Sequence, residues 1–259
     1  MPATPAWPPK SAPRLFVKSE LSEGQALSID GQQGHYLAKV MRVSPGDAVI
    51  VCDDITGEWI ANVSEAGKRS VTLSITKRLR NREAVPDFWL CPALLKKDRF
   101  DMVLEKATEL GVAAIHPVIT RRCVADKLNP DRARSMVTEA AEQCARTALP
   151  ALEAPQKLDA VLKDWPEDRL LFFADEDGGT PAAEAFSFSK YPDRGEGAHK
   201  SALLTGPEGG FDDTEREAIR AHPQTRAISL GPRILRGETA AIAAIALWMG
   251  LAGDWDSHG

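Results

Sequence analysis

From Arg14 to about Arg80 the chain alternates short apolar runs with turn signals, which is the pattern of a small all-β unit. Ala48 to Cys52 follows the turn Ser44-Pro45-Gly46-Asp47, Glu58 to Val63 follows Thr56-Gly57, and Val71 to Ile75 follows Ala66-Gly67-Lys68. One short helix, His35 to Val43, interrupts the strands. The expected product is a β-barrel of about five or six strands.

Beyond a linker at about Asn81 to Pro86 the periodicity changes. Strand Phe88 to Leu94 leads to a helix at Arg99 to Leu110, with Phe100, Val103, Leu104, Ala107 and Leu110 on one face and Gly111 as its C-cap. A strand over Ala114 to Ile119 follows, and Asn129 and Pro130 read as N-cap and first residue of a helix running to about Thr147. A helix at Leu158 to Trp165, a strand at Leu170 to Ala174 and a polar stretch up to Lys200 come next. Two buried strands, Ala202 to Leu204 and Ala227 to Leu230, complete the series. Such alternation predicts an α/β fold, a mostly parallel sheet with helices on both faces.

The last helix, Thr239 to Met249, is apolar on all sides and so must be buried on all sides. Burial inside one chain and burial against a second copy both satisfy this, and a homodimer is the expectation. The apolar run Ala240 to Gly250 is too short to span a bilayer. The Pro-rich opening MPATPAWPPK reads as a disordered tail over residues 1–13 without a secretory signal, so a cytoplasmic location and no membrane partner are expected.

Two glycine-bearing segments follow strands: TGPEGGF at 205–211 and LGPRILRGETA at 230–240. Ligands of open α/β sheets bind at strand C-termini, although a glycine cluster can also be no more than a tight turn. A phosphate cradle is disfavoured because no Lys-Ser/Thr follows and the spacing does not fit GxGxxG. Glu208, Asp212 and Asp213 also place carboxylates where a helix N-terminus would attract an anion. Asp212 or Thr214 can cap that helix, with Glu215 or Glu217 three residues on. The expected ligand is poor in phosphate.

Composition, 43% apolar and 27% charged, is that of a globular protein. Cys52, Cys91, Cys123 and Cys144 form no CxxC pair and the five histidines form no ligand cluster, so buried thiols and no metal are expected. The net charge of −5 is unevenly spread: residues 1–85 hold 11 Lys/Arg against 9 Asp/Glu, and residues 86–259 hold 21 against 28. Lys77, Arg78, Arg80 and Arg82 crowd together in the first part. They are either a solvated linker face or phosphate contacts.

Several segments together resemble the RsmE family, SPOUT-class methyltransferases that methylate N3 of a uridine in small-subunit (16S) ribosomal RNA. They are Arg14-Leu15-Phe16-Val17, HYLAKVMRVSPGD at 35–47, KATELGV at 106–112, AEQCAR at 141–146 and the two glycine-bearing loops. The resemblance covers nearly the whole chain. It implies a PUA-like barrel over residues 14–82, which would bind RNA, and a SPOUT methyltransferase domain over 86–255. That domain would be a trefoil-knotted parallel sheet with S-adenosylmethionine in the knot, and the chain would be a homodimer. By motif, the cofactor would lie against Thr205, Gly206, Pro207, Glu208, Gly209 and Gly210. Leu230, Gly231, Ile234, Leu235 and Thr239 would complete the pocket with the strand end at Ala174 and Glu176. A sulfonium cofactor agrees with the acidic loop.

Uridine N3 is a poor nucleophile until its imide proton leaves. Arg236, beside the cofactor loop, is the candidate catalytic cation, unless it serves an ion pair with Glu238 or a partner subunit. Glu142 is the candidate base, unless it forms a helix-surface pair with Arg146. Arg14, Lys96, Lys97, Arg121, Arg122, Arg146 and the 77–82 cluster are the expected RNA contacts, in 16S rRNA of the small ribosomal subunit. The rivals are a SPOUT enzyme acting on another RNA base or ribose, a non-catalytic RNA-binding assembly factor, and a nucleotide-hydrolysing α/β protein.

Overall fold

Strand β1 (Arg14–Phe16) runs parallel to β3 (Ala48–Cys52), which pairs antiparallel with β4 (Gly57–Ala66), and β4 with β5 (Val71–Asn81). Strand β2 (Ala26–Ile29) closes the order β1-β3-β4-β5-β2 by pairing antiparallel with β5. In this computed structural model, which describes residues 12–187 and 200–255, β1 and β2 end the ladder. It is therefore a five-stranded sheet, with register shifts at Glu58/Trp59, Ile60/Ala61 and Val63/Glu65 that bend the long β4–β5 pair. Val49, Val51, Val63, Val71, Leu73 and Ile75 alternate into one core with Leu37. Residues 1–11 of the tail expected over 1–13, and residues 188–199 of the polar stretch, lie outside the described residues.

The helix expected at His35 to Val43 begins earlier and ends sooner. It is α1 (Gly31–His35), continued by a π-helical turn over Tyr36–Val40, and Arg42 at φ 54° takes the chain out of it. The turn Asp53 to Gly57 is held by the Asp53 carboxylate, which accepts the N–H groups of Leu21, Ile55, Thr56 and Gly57. Burial works against that charge, but these bonds and the Thr56 hydroxyl hold the carboxyl below the ordinary aspartate range.

The chain divides into two units, Met1–Ala84 with Ala141–Leu149, and Val85–Ala140 with Pro150–Gly259. The split falls between Ala84 and Val85, and the segment 141–149 groups with the N-terminal unit. Glu142 Oε1 accepts the Phe16 N–H at 2.7 Å, Leu149 N–H reaches Asp54 at 2.9 Å, and Thr147 N–H reaches Glu83 at 2.6 Å. Ala141 and Leu149 add apolar contact with Phe16 and Cys52.

The second unit is α/β. It runs β6 (Phe88–Pro92), α2 (Lys97–Glu109), β7 (Ala114–Ile115), β8 (Val118–Ile119), α3 (Pro130–Gln143, whose residues from Ala141 on belong to the first unit), β9 (Ala151–Leu152), β10 (Gln156–Lys157), α4 (Leu158–Lys163) and β11 (Leu170–Ala174). It continues β12 (Thr180–Pro181), α5 (Ala182–Ser187), β13 (Ser201–Thr205), α6 (Asp213–Ala221), β14 (Thr225–Ser229) and α7 (Gly237–Leu251). Seven strands form one sheet, β12-β14-β11-β13-β6-β7-β9, and every pairing in it is parallel. The strand expected over Ala114 to Ile119 is split at Pro117, which has no N–H to donate, and its second half pairs with β10 instead.

Side chains alternate across this sheet. Cys91, Leu171, Phe173, Ala202 and Leu204 meet Leu158 of α4 and Ile219 of α6. On the other face Phe88 stacks on Trp248 of α7 at 4.1 Å, and Phe172 meets Phe186 of α5 edge-on at 4.9 Å. Helices therefore cover both faces, as the alternation requires. Each fully buried side chain of this size contributes roughly 1.5–3 kcal/mol relative to exposure.

Helix termini follow the sequence signals. Asn129 Oδ1 accepts the Arg132 N–H at 3.0 Å, and α3 ends at Gln143 rather than Thr147, with Ala145 at φ 60° just beyond. At the end of α2 the N–H groups of Gly111 and Val112 bond back to Thr108 and Ala107, with Gly111 at φ 94°. This is a Schellman stop, in which the left-handed residue costs glycine nothing.

Candidate functional site

Strand β11 lies between β13 and β14, parallel to both, with Phe173 opposite Leu204 and Ala174 opposite Ile228. The three loops that leave these strands therefore emerge at the same sheet edge. Between them lies a cavity of about 330 Å³, at the carboxyl edge where open α/β sheets bind ligands.

The loop after β13 is lined by Gly206, Pro207 and Gly210, and the loop after β14 by Leu230, Gly231, Ile234 and Leu235. Ala174 and Glu176 supply the third wall. Thr205 is buried as the last residue of β13, while Glu208, Gly209 and Thr239 do not line the cavity. Glu208 instead points to α2, where its Oε1 accepts the Lys96 N–H at 3.1 Å.

The lining also extends beyond the strand end expected at 174–176: Asp177 and Gly178 follow it in the β11 loop, and Arg216 reaches in from α6. Its guanidinium is 3.3 Å from Asp175 and 2.7 Å from Glu176, and it also pairs with Asp177. Arg220 pairs with Asp175 at 2.6 Å. Three carboxylates thus face two guanidinium groups, leaving one excess negative charge in this wall. The DED triplet after the β11 strand was a visible signal, but its partner Arg216 lies about forty positions away and no local pattern links them.

Gly210 shows why a side chain is excluded from the first loop. It sits at φ 66°, and an added Cβ would lie 2.6 Å from Glu176 Oε1. Immediately beyond, Asp212 Oδ1 accepts the Glu215 N–H at 2.8 Å and Glu215 returns to the Asp212 N–H at 3.4 Å. Of the caps read from the sequence, Asp212 with Glu215 is the pair used, and it completes a capping box. The helix N-terminus that could have taken a phosphate is filled by carboxylates of the chain itself.

The basic candidates fall into two groups. Arg14 and Arg80 both pair with Glu58, Arg82 with Asp54, and Arg78 lies over the Trp59 ring at 5.7 Å. Arg146, read as an RNA contact, is buried, with its Nε 3.9 Å from Glu83. Arg121 pairs with Asp212 at 3.0 Å, Arg122 donates to the Gly209 and Phe211 carbonyls, and Lys97 lies 3.6 Å from Asp101. By contrast Lys77, Lys96 and Arg236 are exposed, and their charged groups make no hydrogen bond or ion pair among the described residues.

Arg236 is the N-cap residue of α7, one position from the lining residues Leu235 and Gly237. The alternative pairing with Glu238 is not formed, because Glu238 is turned toward Arg99 at 3.8 Å. Glu142, the candidate base, is no lining residue. It groups with the N-terminal unit, where it accepts a backbone N–H of β1.

Cys52 and Cys91 are buried thiols, pushed up to about 11 and about 12 chiefly by burial. Cys123 is half-buried and Cys144 is exposed, contrary to the expectation of four buried thiols, and all four are free. Among the described residues no group of three His, Cys, Asp or Glu could hold a metal ion. No helix among them is long and apolar enough to cross a membrane.

Residues 81–249 match the family model of an RNA methyltransferase domain, and residues 29–76 that of an RNA methyltransferase PUA domain. The chain is similar to "Ribosomal RNA small subunit methyltransferase E" of Rickettsia conorii, with 30% identity over 234 residues, covering 90% of this chain and 93% of the relative. The protein of that name from Synechocystis sp. is 32% identical over 240 residues, covering 90% of this chain and 76% of the relative. Among solved structures, a ribosomal RNA small subunit methyltransferase E from Neisseria gonorrhoeae bound to S-adenosyl methionine superposes with a TM-score of 0.81 at 27% identity. That match covers 94% of this chain and 99% of the other. A single family thus accounts for both units and for nearly the full length of the sequence, and the chain belongs to the ribosomal RNA small subunit methyltransferase E family.

Proposed function

We propose that this chain transfers a methyl group from S-adenosylmethionine to N3 of a uridine in small-subunit (16S) ribosomal RNA, in the cytoplasm and on the assembled subunit. The observation that carries the reading is the cavity at the joint carboxyl edge of β11, β13 and β14. Its walls combine apolar side chains, Ile228, Leu230, Leu235 and Ala240, with an acidic side, and the N-terminus of α6 is capped by the chain's own carboxylates. These residues fit a purine nucleoside carrying a cationic sulfonium. When bound, that cofactor supplies an electrophilic methyl group.

The chain's own residues then have two tasks. The loop backbones at 206–210 and 230–235 hold the donor so that the nitrogen lone pair meets it in line, which can remove several kcal/mol of barrier. Arg236 stabilises the uridine anion. At about 4 Å and an effective dielectric near 20, a guanidinium favours that anion by up to about 4 kcal/mol, which lowers the imide pKa by up to about three units. Arg236 is suited to this role because it is exposed, unpaired among the described residues, and adjacent to the cavity. Glu142 is left as a structural acceptor, and with its pKa lowered the N3 imide loses its proton to solvent water before the methyl is transferred.

RNA affinity would come from the exposed cations, Lys77 in the N-terminal unit and Lys96 in the second, and should fall with salt. The target base must be unpaired or flipped out, since pairing hides N3. A knotted path of the chain around the cavity and a homodimer belong to the same reading. The dimer is supported by α7: Ala241, Ala244, Ile245, Trp248 and Met249 are buried, but Ile242, Ala243, Ala246, Leu247 and Gly250 are not fully covered within the chain.

The test supplies labelled S-adenosylmethionine with small ribosomal subunits lacking the modification, using naked RNA as the comparison. The expected result is label at N3 of a single uridine, with subunits the better substrate. Label on a ribose or another base would select the rival SPOUT chemistry, and absence of cofactor binding would select a non-catalytic assembly factor.

A further inference from the structure

The geometry points to Arg99 as the positioning residue that fixes the spacing of the two cavity loops, a role that rests on the proposed cofactor reading of the cavity. Arg99 lies in the first turns of α2 and lines no part of the cavity. Its Nη1 is 3.5 Å from Glu208 Oε1 in the loop after β13, and its Nε is 3.8 Å from Glu238 Oε1 in the first turn of α7. One guanidinium therefore spans both loops. The fork of Arg suits this better than a point charge, since its nitrogens face two acceptors at once.

The loops meet at this place. A Cβ added to Gly237 would lie 2.7 Å from the Gly206 carbonyl oxygen and 3.0 Å from a Leu95 methyl carbon, so the backbones approach as closely as glycine allows. Gly206 and Gly237 both line the cavity, so their separation sets its width. Neither carboxylate has another cation in reach among the described residues. Glu238 is only 7% exposed, and the Oε2 atoms of Glu208 and Glu238 are buried without a hydrogen-bond partner. Without Arg99, two half-satisfied carboxylates would be left close together at the seam, and the cheapest relief is to part the loops and admit water. Arg99 thus acts on cofactor affinity by keeping the seam closed, whereas Arg236 acts on the reacting base.

The test compares Arg99→Met, Arg99→Lys and Glu238→Gln with the unaltered protein in two measurements. In steady-state methylation of small subunits, Arg99→Met should raise KM and Kd for S-adenosylmethionine about tenfold or more, while kcat at saturating cofactor stays within about threefold, the signature of lost ground-state positioning. Arg99→Lys should recover only part of the affinity. Combining Arg99→Met with Glu238→Gln should cost less than the sum of the single changes. Unchanged Kd, or loss confined to kcat, would overturn the role.

The second measurement is hydrogen exchange without cofactor. Arg99→Met should speed exchange in 205–211 and 230–240 but not in α6. If the unaltered protein fails to bind S-adenosylmethionine, the cofactor reading fails by itself. The exchange data still decide whether Arg99 holds the seam, and unchanged exchange rejects it. Should Arg99→Met not fold, Arg99→Lys and Glu238→Gln carry both measurements.

Discussion

The loop after β13 is tied down at almost every residue, whereas the loop after β14 is not. In the first, Glu208 is bound to α2, the Gly209 and Phe211 carbonyls accept from Arg122, and Phe211 is buried edge-on to Phe173 at 5.1 Å. In the second, Ile234 is 84% exposed, and the side chains of Arg233 and Arg236 have no hydrogen bond or ion pair among the described residues. The contrast separates two duties. A firmly held wall defines the shape a small ligand must match, while a lightly held one keeps its charges hydrated and available to an incoming anionic partner.

The sharpest way to break this comparison is Arg236→Ala. Turnover should fall about a hundredfold or more, near 2.7 kcal/mol of transition-state stabilisation, while the dissociation constant of S-adenosylmethionine stays nearly intact. Calorimetry beside single-turnover rates measures both, and equal losses would place Arg236 in the binding wall instead. Gly210→Ala probes the held loop. Its left-handed conformation should cost about 1–2 kcal/mol in the denaturant midpoint. The added methyl would also crowd Glu176, so cofactor binding should weaken.

Asp212→Ala should lower the unfolding midpoint through loss of the cap. The Glu215 N–H holds the Asp212 carboxyl below its ordinary range against the opposing effect of burial, and the Arg121 guanidinium adds to the lowering. This contribution is fully present above about pH 4, the unfolded value, and disappears as pH falls through the lower folded value. The difference between the two proteins should therefore be constant from neutral to mildly acid pH and vanish only in stronger acid, as followed by unfolding midpoints. The smallest effect belongs to Ile234→Ala, which should change stability by less than about 0.5 kcal/mol because the side chain is already in water. A larger loss in the unfolding midpoint would mean that the second loop is held after all.

Much of this arrangement was legible before any coordinates. Strand C-termini followed by glycine, the Asp212 cap and the Asn129 cap depend on neighbours within a few positions, and local pattern carries them. The break at Pro117 was also local, but an unbroken apolar run masked it. What escaped the sequence depends on distant pairs. Glu142 looked like a helix-surface residue until β1 supplied an N–H to it from 126 positions away. Arg146 and Arg80 are expected RNA contacts, and the Glu83 and Glu58 that pair with them come from distant positions. Arg216 entered the cavity wall only because α6 lies beside the β11 loop.

The strand order has a consequence for biosynthesis. β13 sits between β6 and β11 but is made after both, so a growing chain carries one unpaired edge of β6 and both edges of β11 until β13 and then β14 have emerged. Exposed parallel edges of this kind invite pairing with other chains. Truncation upstream of β13 should leave a sticky remnant rather than a smaller working domain, and competence to hold a ligand should arise abruptly, once β11, β13 and β14 are in register.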